Sequence, residues 1–289
     1  MCLCVFKRQI GTGSPLPTSG KKHYVTFHFT DGDNIEWLDG QHTGFEFFSA
    51  GKFWDSPGRG KVPLAWGMPT IQSDLGRPVM EYMYDTATPG KDVFVAVSPI
   101  GYGYVSKFSP AVRAANAAEQ GRRMAQLDMH ILNLIDFRPS DYATNITTEE
   151  LYMPYMQQDA IHALFLYPWD TGYEGNGTCK GSITWANDKP IITGRVALWQ
   201  SDGCVPTGAF GSSGCRNVTN VANWLNQQAK KLNGTDPTSS SSYSVVPVDV
   251  WTQVGDVSSV LKVTELLGPD IEVVSADALI TLIQKNVKR

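Results

Sequence analysis

The chain has 289 residues and a mass of 31.7 kDa, with 42% hydrophobic and 18% charged residues, which is enough to bury the core of one large domain. Its net charge of -4 and isoelectric point near 5.7 offer no basic surface for nucleic acid or anionic lipid. No apolar stretch reaches the roughly 20 residues that cross a bilayer. We therefore expect neither nucleic acid nor a membrane as a partner. We also expect no cofactor and a monomer.

The first 22 residues have the composition of a tail. Residues 11–20 are rich in Gly, Ser, Thr and Pro, so residues 1–22 are predicted to be a disordered tail or linker before one domain over residues 23–289. The apolar region at residues 1–6 is too short for a signal peptide and is followed by Lys7 and Arg8. This start fits a longer secreted chain that has been truncated.

The first predicted strand ends in a cluster of carboxylates. Residues 24–29 favour an extended backbone, and Asp31, Gly32, Asp33 and Asn34 end a strand and turn the chain. If the strand geometry persists, Asp31 and Asp33 project to one side, with Cα atoms roughly 7 Å apart. They are candidate catalytic groups, and the alternative is a turn that caps the next segment.

The remaining elements alternate between strands and helices. Ser109 as N-cap and Pro110 at the first helical position mark the clearest helix start, and Pro78 breaks another helical segment. Predicted strands cover residues 61–66, 92–98, 129–136, 162–167, 190–199, 243–251 and 271–274. Predicted helices cover residues 71–87, 109–127, 147–158, 218–232, 256–267 and 275–286.

This alternation predicts a parallel sheet with helices packed outside, and at this size we expect a (β/α) TIM-like barrel of seven or eight mostly parallel strands. Polar and aromatic residues gather where the predicted strands end. In a (β/α) barrel these ends share one face, which carries the active site. The residues are Asp31, Asp33, Trp66, Ser98, Asp136, Tyr167, Asp170, Trp199 and Trp251.

Cysteines and glycosylation sequons favour an oxidising, secretory location. Cys204 and Cys215 flank a Gly/Ser-rich loop and are a candidate disulfide, with Cys179 as a competing partner. Asn-x-Ser/Thr sequons in polar stretches are candidate glycosylation sites. They begin at Asn145, Asn176, Asn217 and Asn233.

Residues 98–104 read Ser-Pro-Ile-Gly-Tyr-Gly-Tyr, and in them the chain resembles the C-terminal, barrel-like domain of the GxGYxYP family of putative glycoside hydrolases. Gly101, Gly103 and Tyr104 match the first half of the motif, whereas Ser106 and Lys107 stand where the family has Tyr and Pro. The resemblance covers about residues 24–288. It implies a carbohydrate-active, secreted protein whose relatives carry another domain before this one.

Glycoside hydrolysis generally uses two carboxyl groups on either side of the scissile bond. We predict Asp31 or Asp33 as nucleophile or base and Asp136 as acid, with Asp170, Glu174 and Asp249 as possible substitutes. Aromatic rings would stack on sugar rings, polar groups would bind hydroxyls, and glycines would let the backbone approach the ligand. The predicted substrate-binding residues are Asn34, Trp66, Ser98, Gly101, Tyr102, Gly103, Tyr104, Tyr167, Arg195, Trp199 and Trp251.

Three other functions stay open at this point, two of them metal-dependent enzymes and one a binding domain. A metal-dependent polysaccharide deacetylase would use the Asp31-x-Asp33 pair with histidines, but the five histidines show no paired spacing, and His130 and His162 open strands at the end away from the proposed site. A sugar transferase would need a nucleotide-binding loop, which the sequence does not contain. A non-catalytic glycan-binding domain would retain the aromatic residues without any chemistry.

Overall fold

A computed structural model of the chain describes residues 20–30, 35, 38, 47–97, 99–136, 148–168, 182–199, 217–250 and 256–289. Within these residues the strands are β1 (His23–Thr30), β2 (Leu64–Pro69), β3 (Asp92–Val97), β4 (Ile131–Asp136), β5 (Ala163–Pro168), β6 (Ile183–Ala186), β7 (Lys189–Thr193), β8 (Tyr243–Asp249) and β9 (Ile271–Val273). The helices are α1 (Gln72–Leu75), α2 (Arg77–Thr86), α3 (Pro110–Leu127), α4 (Thr148–Met156), α5 (Val218–Ala229), α6 (Ser258–Glu265) and α7 (Ala276–Asn286).

The predicted parallel sheet is confirmed. The strand order is β6-β7-β5-β4-β3-β2-β1-β8, with β9 also paired to β1, and every pair is parallel except β6 with β7. Strand β6 was not predicted from the sequence. It forms a hairpin with β7 through Asn187 and Asp188, which both have positive φ, as the favoured two-residue hairpin turn requires.

The sheet is strongly curled. Three strands separate β1 from β5 in the sheet order, which in a flat sheet would place them roughly 19 Å apart. Instead, Nδ1 of His28 on β1 lies 3.0 Å from the hydroxyl of Tyr167 on β5. The two strands therefore face each other across the inside of a half-barrel.

The sheet is nevertheless open, and the TIM barrel that we expected is not confirmed. After β7 the chain leaves the strand pairing and meets the opposite edge at one isolated bridge between Leu198 and Val248. The amide of Leu198 donates to the carbonyl of Pro247 at 2.8 Å, and the amide of Asp249 donates to the carbonyl of Leu198 at 3.1 Å. The two edges approach at this point without forming a continuous ladder.

Side-chain alternation divides β1 between two cores. Val25, Phe27 and Phe29 pack in the larger cluster, which contains most of the buried apolar residues of α2 to α6. Tyr24 belongs to the smaller cluster, inside the curl. All eight residues of β1 are buried, so its register cannot slip without exchanging these two faces.

The helix starts agree with the sequence. Ser109 caps α3, since its hydroxyl accepts from the amide of Val112, and α2 begins at Arg77, next to the proposed break at Pro78. The position of α7 was not foreseen. Its apolar residues, among them Leu279 and Ile283, pack in the inner cluster against β1 and β7 rather than outside the sheet.

The buried imidazole of His28 predicts acid sensitivity. Desolvation lowers the pKa of His28 from 6.5 to about 3, so below pH 6.5 the unfolded chain takes up a proton that the folded chain does not. We expect this histidine alone to reduce the free energy of unfolding by about 2 kcal/mol between pH 7 and pH 5. In urea unfolding, the free energy of unfolding of His28→Gln should therefore fall less between pH 7 and pH 5 than that of the wild type. Equal losses in both proteins would contradict this assignment.

Candidate functional site

The carboxyl ends of the parallel strands meet at one edge of the half-barrel. Thr30 ends β1, Asp136 lies at the end of β4 and Asp249 at the end of β8. Loops that follow parallel strands at this edge are the usual place for an active site in (β/α) folds. This carboxyl edge is therefore the candidate site.

Polar side chains fill the interior just below the carboxyl edge. Oγ1 of Thr30 donates to Oδ1 of Asn133 at 3.1 Å, and Nδ2 of Asn133 donates to the carbonyl of Phe165 at 3.0 Å. The His28–Tyr167 pair lies in the same interior, and its imidazole is neutral at physiological pH because burial lowers its pKa to about 3. These contacts join β1, β4 and β5 below the edge.

Most of this interior layer was not predicted from the sequence. His28 was one of five histidines without paired spacing, and Thr30 and Asn133 were not among the predicted site residues. The signal was present in β1, where Thr26, His28 and Thr30 alternate with large apolar residues on a fully buried strand. A polar set on one face of such a strand indicates a polar compartment on that side of the sheet.

Asp249 is a carboxylate of β8 next to the end of β1. Its register partner is Thr30, which precedes Asp31 in the sequence. Tyr243 and Val245 face the inner cluster, so alternation along β8 places Asp249 on the inner side as well. The side chain is buried, with 4% of its surface exposed.

The loop between β3 and α3 carries the Gly-Tyr-Gly-Tyr sequence. Tyr102 is 52% exposed, and its hydroxyl lies 3.1 Å from that of Tyr104, with the two rings at 62° to each other. A β-bridge between Pro99 and Tyr102 closes the turn, and Ile100 within it has a φ of 116°. Such a φ is unfavourable for a β-branched residue, so the surrounding contacts must hold it.

Asp136 faces this loop. Its Oδ2 accepts from the amide of Ser106 at 2.9 Å, and its Oδ1 accepts from the hydroxyl of Ser106 at 2.5 Å. Leu132 and Leu134 on the same strand pack in the helix-facing cluster, so alternation directs Asp136 to that side. The catalytic role of Asp136 stays a prediction, and these contacts support a structural role beside it.

Two of the predicted aromatic platforms are buried. Strand β2 continues beyond Trp66 to Pro69, and the fully buried indole stacks on Phe29 at 4.9 Å and donates from Nε1 to Oδ1 of Asp92 at 2.9 Å. Tyr167 is fully buried beside His28. These contacts support packing roles for both side chains.

Two other predicted binding residues follow β7. Nη2 of Arg195 donates to the carbonyl of Ser240 at 2.9 Å, near the amino end of β8, and burial lowers the pKa of this guanidinium to about 10. Trp199 is partly exposed and packs against the inner cluster. Leu198, the residue before Trp199, bridges to Val248 beside Asp249, whereas the Arg195 head group lies near the amino end of β8.

Two of the predicted glycosylation sites lie within the described part of the chain, and several other predicted residues lie outside it. Asn217 and Asn233 are described: both are exposed, Asn217 caps α5, and Asn233 has a positive φ. Secretion, glycosylation and the disulfide stay predictions. The predicted residues outside the described ranges are Asp31, Asp33, Asn34, Ser98, Asn145, Asp170, Glu174, Asn176, Cys179, Cys204, Cys215 and Trp251.

No group of three or more metal-ligating side chains suited to an ion occurs among the described residues. His130 and His162 stack with ring centroids 4.5 Å apart at the amino ends of β4 and β5, away from the carboxyl edge as expected. No helix in the described ranges is long and apolar enough to span a membrane.

Comparison with known proteins gives one family and one solved structure. The family model described as the GxGYxYP putative glycoside hydrolase C-terminal domain matches residues 21–284. A crystal structure of a putative hydrolase from Bacteroides thetaiotaomicron VPI-5482 is similar, with a TM-score of 0.78 and 26% identity over 99% of this chain. The chain spans 49% of that protein. A search of curated protein sequences found no match.

The two glycines of the loop should respond differently to a methyl group. At Gly103 an added Cβ would lie 3.2 Å from Cγ of Pro99, whereas at Gly101 the nearest atom is Cδ1 of Ile35 at 3.9 Å. We expect Gly103→Ala to lower the free energy of unfolding by about 1 kcal/mol and Gly101→Ala to leave it unchanged. Urea unfolding measures both.

Glycan binding then tests the predicted role of Gly101. If its backbone approaches a ligand, Gly101→Ala weakens glycan binding at unchanged stability. Unchanged binding of glycans by Gly101→Ala would remove Gly101 from the site.

Trp66→Phe should affect stability rather than binding. The substitution leaves Oδ1 of buried Asp92 without its indole donor and opens space beside Phe29. We expect a loss of about 1–3 kcal/mol in the free energy of unfolding. Glycan binding by the folded variant should match the wild type; a selective loss of binding would return Trp66 to the site.

Proposed function

Because the chain belongs to the GxGYxYP putative glycoside hydrolase family, we propose that it hydrolyses glycosidic bonds at the carboxyl edge of its half-barrel. The family match over residues 21–284 is the observation that carries this proposal. The solved neighbour, named a putative hydrolase and superimposable over 99% of this chain, supports the same class of reaction.

The proposed reaction needs two carboxyl groups about 5–9.5 Å apart. Asp31 or Asp33 acts as nucleophile or base, because both follow β1 directly. Asp249 is the better partner in this proposal, since it is paired in register with Thr30, and neighbouring strands lie only about 4.8 Å apart. Asp136, the acid predicted from the sequence, is not used in this proposal, because both of its carboxylate oxygens accept from Ser106 and alternation directs it to the helix-facing side.

The proposed sugar contacts come from the loops above these carboxylates. Tyr102 and Tyr104 offer exposed and partly exposed aromatic surface beside the edge, and Trp199 lies at the end of the segment that bridges to β8. Aromatic rings suit the apolar faces of sugar rings, while hydroxyl groups satisfy the polar edges. Asn34, Ser98 and Trp251 complete the set.

The test is product release from a panel of plant, fungal and bacterial glycans. The wild type is compared with Asp31→Asn, Asp33→Asn, Asp136→Asn and Asp249→Asn, each with and without chelator. Asp188→Asn is the matched control, because Asp188 is exposed at the β6–β7 turn and pairs with Arg289. Thermal unfolding confirms that each variant is folded.

We expect release by the wild type and the control, and a loss of about 10²–10⁴-fold in Asp249→Asn and in one of the two β1 variants. Chelator should have no effect. Release that requires a metal would favour a deacetylase. Glycan binding without release of any product would leave a non-catalytic binding domain.

A further inference from the structure

We propose that Asp136 and Ser106 form a positioning pair that holds the Gly-Tyr-Gly-Tyr loop in the shape that presents Tyr102 and Tyr104 to a sugar ring. This inference rests on the proposed function for its ligand, but the pair itself rests on contacts in the structure. In this inference Asp136 positions the loop and does not transfer a proton to the substrate.

The pair joins the end of β4 to the loop between β3 and α3. Asp136 is fully buried and accepts from both the amide and the hydroxyl of Ser106. Hydrogen bonds to a charged acceptor are the stronger kind, and a buried carboxylate that lost them would be costly. The loop is therefore fixed two residues after Tyr104.

Ser106 occupies one of the two positions at which the chain departs from the family motif. The motif has Tyr and Pro where this chain has Ser106 and Lys107. A short hydroxyl can reach Oδ1 while the amide of the same residue reaches Oδ2. The bidentate contact with Asp136 therefore depends on this departure.

Other contacts hold the loop on either side of the pair. Nδ2 of Asn116 donates to the carbonyl of Pro99, and the amide of Ile71 donates to the carbonyl of Ile100 at 3.3 Å. Arg113 of α3 donates from Nη2 to the carbonyl of Phe108 at 3.0 Å. Several contacts are needed to hold the loop because the φ of 116° at Ile100 is unfavourable. If the loop were released, the backbone at Ile100 would relax to a more favourable φ.

The arrangement sets the direction of the tyrosine pair. The amide of Lys107 donates to the carbonyl of Tyr104 at 3.0 Å, in the turn that contains Ser106. Movement of Ser106 would rotate this turn and with it the ring of Tyr104, whose hydroxyl lies 3.1 Å from that of Tyr102. Asp136 acts on a bound sugar through Ser106 and these rings, as a positioning residue.

A double-mutant cycle with hydrogen–deuterium exchange tests the pair without any ligand. The variants are Ser106→Ala, Asp136→Asn and the double variant, with Ser106→Thr as the conservative replacement and Asp188→Asn as the charge control. We expect amide exchange over residues 100–108 to rise about tenfold or more in both single variants. Ser106→Ala removes a donor from the buried carboxylate, and Asp136→Asn removes the charge that strengthens both hydrogen bonds. The double variant should show no further rise in amide exchange over these residues. Ser106→Thr and Asp188→Asn should exchange like the wild type.

Kinetics with a glycan that the wild type cleaves then separate positioning from chemistry. We expect Ser106→Ala and Asp136→Asn to raise KM by a similar factor at nearly constant kcat. Unchanged exchange over residues 100–108, additive effects in the cycle, or a kcat loss confined to Asp136→Asn would each overturn the proposal. If the wild type cleaves no glycan, the proposed hydrolase function fails, and the exchange measurements still decide the pair.

Discussion

The structure depends on the pairing of β1. This strand is hydrogen-bonded to β2 and β8 and also to β9, so it joins the long side of the sheet to its other edge. Its alternation sends Val25, Phe27 and Phe29 to the helix-facing core and Tyr24 to the inner one. One buried strand thereby fixes the register of its neighbours, and Asp31 follows it directly in the sequence.

The inside of the curl has two different ends. Near the amino ends of the strands it is closed by the apolar residues of α7, which pack against Tyr24 and Tyr243 in the inner cluster. Near the carboxyl ends it contains the His28–Tyr167 and Thr30–Asn133 contacts. Buried polar groups are costly unless they are paired, so this polar layer beneath the carboxyl edge supports the placement of the candidate site there.

Local signals predicted most of the fold. Ser109 and Pro110 gave the start of α3, and continuous apolar runs gave the parallel strands. Three features depend on distant parts of the chain and left no local signal: the open sheet, the inner position of α7 and the bridge at Leu198. The β6–β7 hairpin could have been predicted from the sequence, because Asn187 and Asp188 favour a two-residue turn.

The sequence predicted the location of the candidate site at the carboxyl edge but not the side of the sheet that each residue faces. The carboxyl edge follows from the parallel sheet alone, whereas the side each residue faces follows from alternation within its strand. Leu132 and Leu134 already place Asp136 on the helix-facing side, and Trp66 shares the face of Leu64 and Met68. Position near a strand end was therefore a weaker guide than position relative to the apolar residues of the same strand.

Hydrogen–deuterium exchange of the wild type, with and without the glycan pools of the panel, tests the location of the site most directly. We expect protection in peptides that cover residues 28–38, 99–108 and 247–253, with no change at the amino ends of β4 and β5. Protection confined to the amino ends, or to helices on the outer surface, would contradict it.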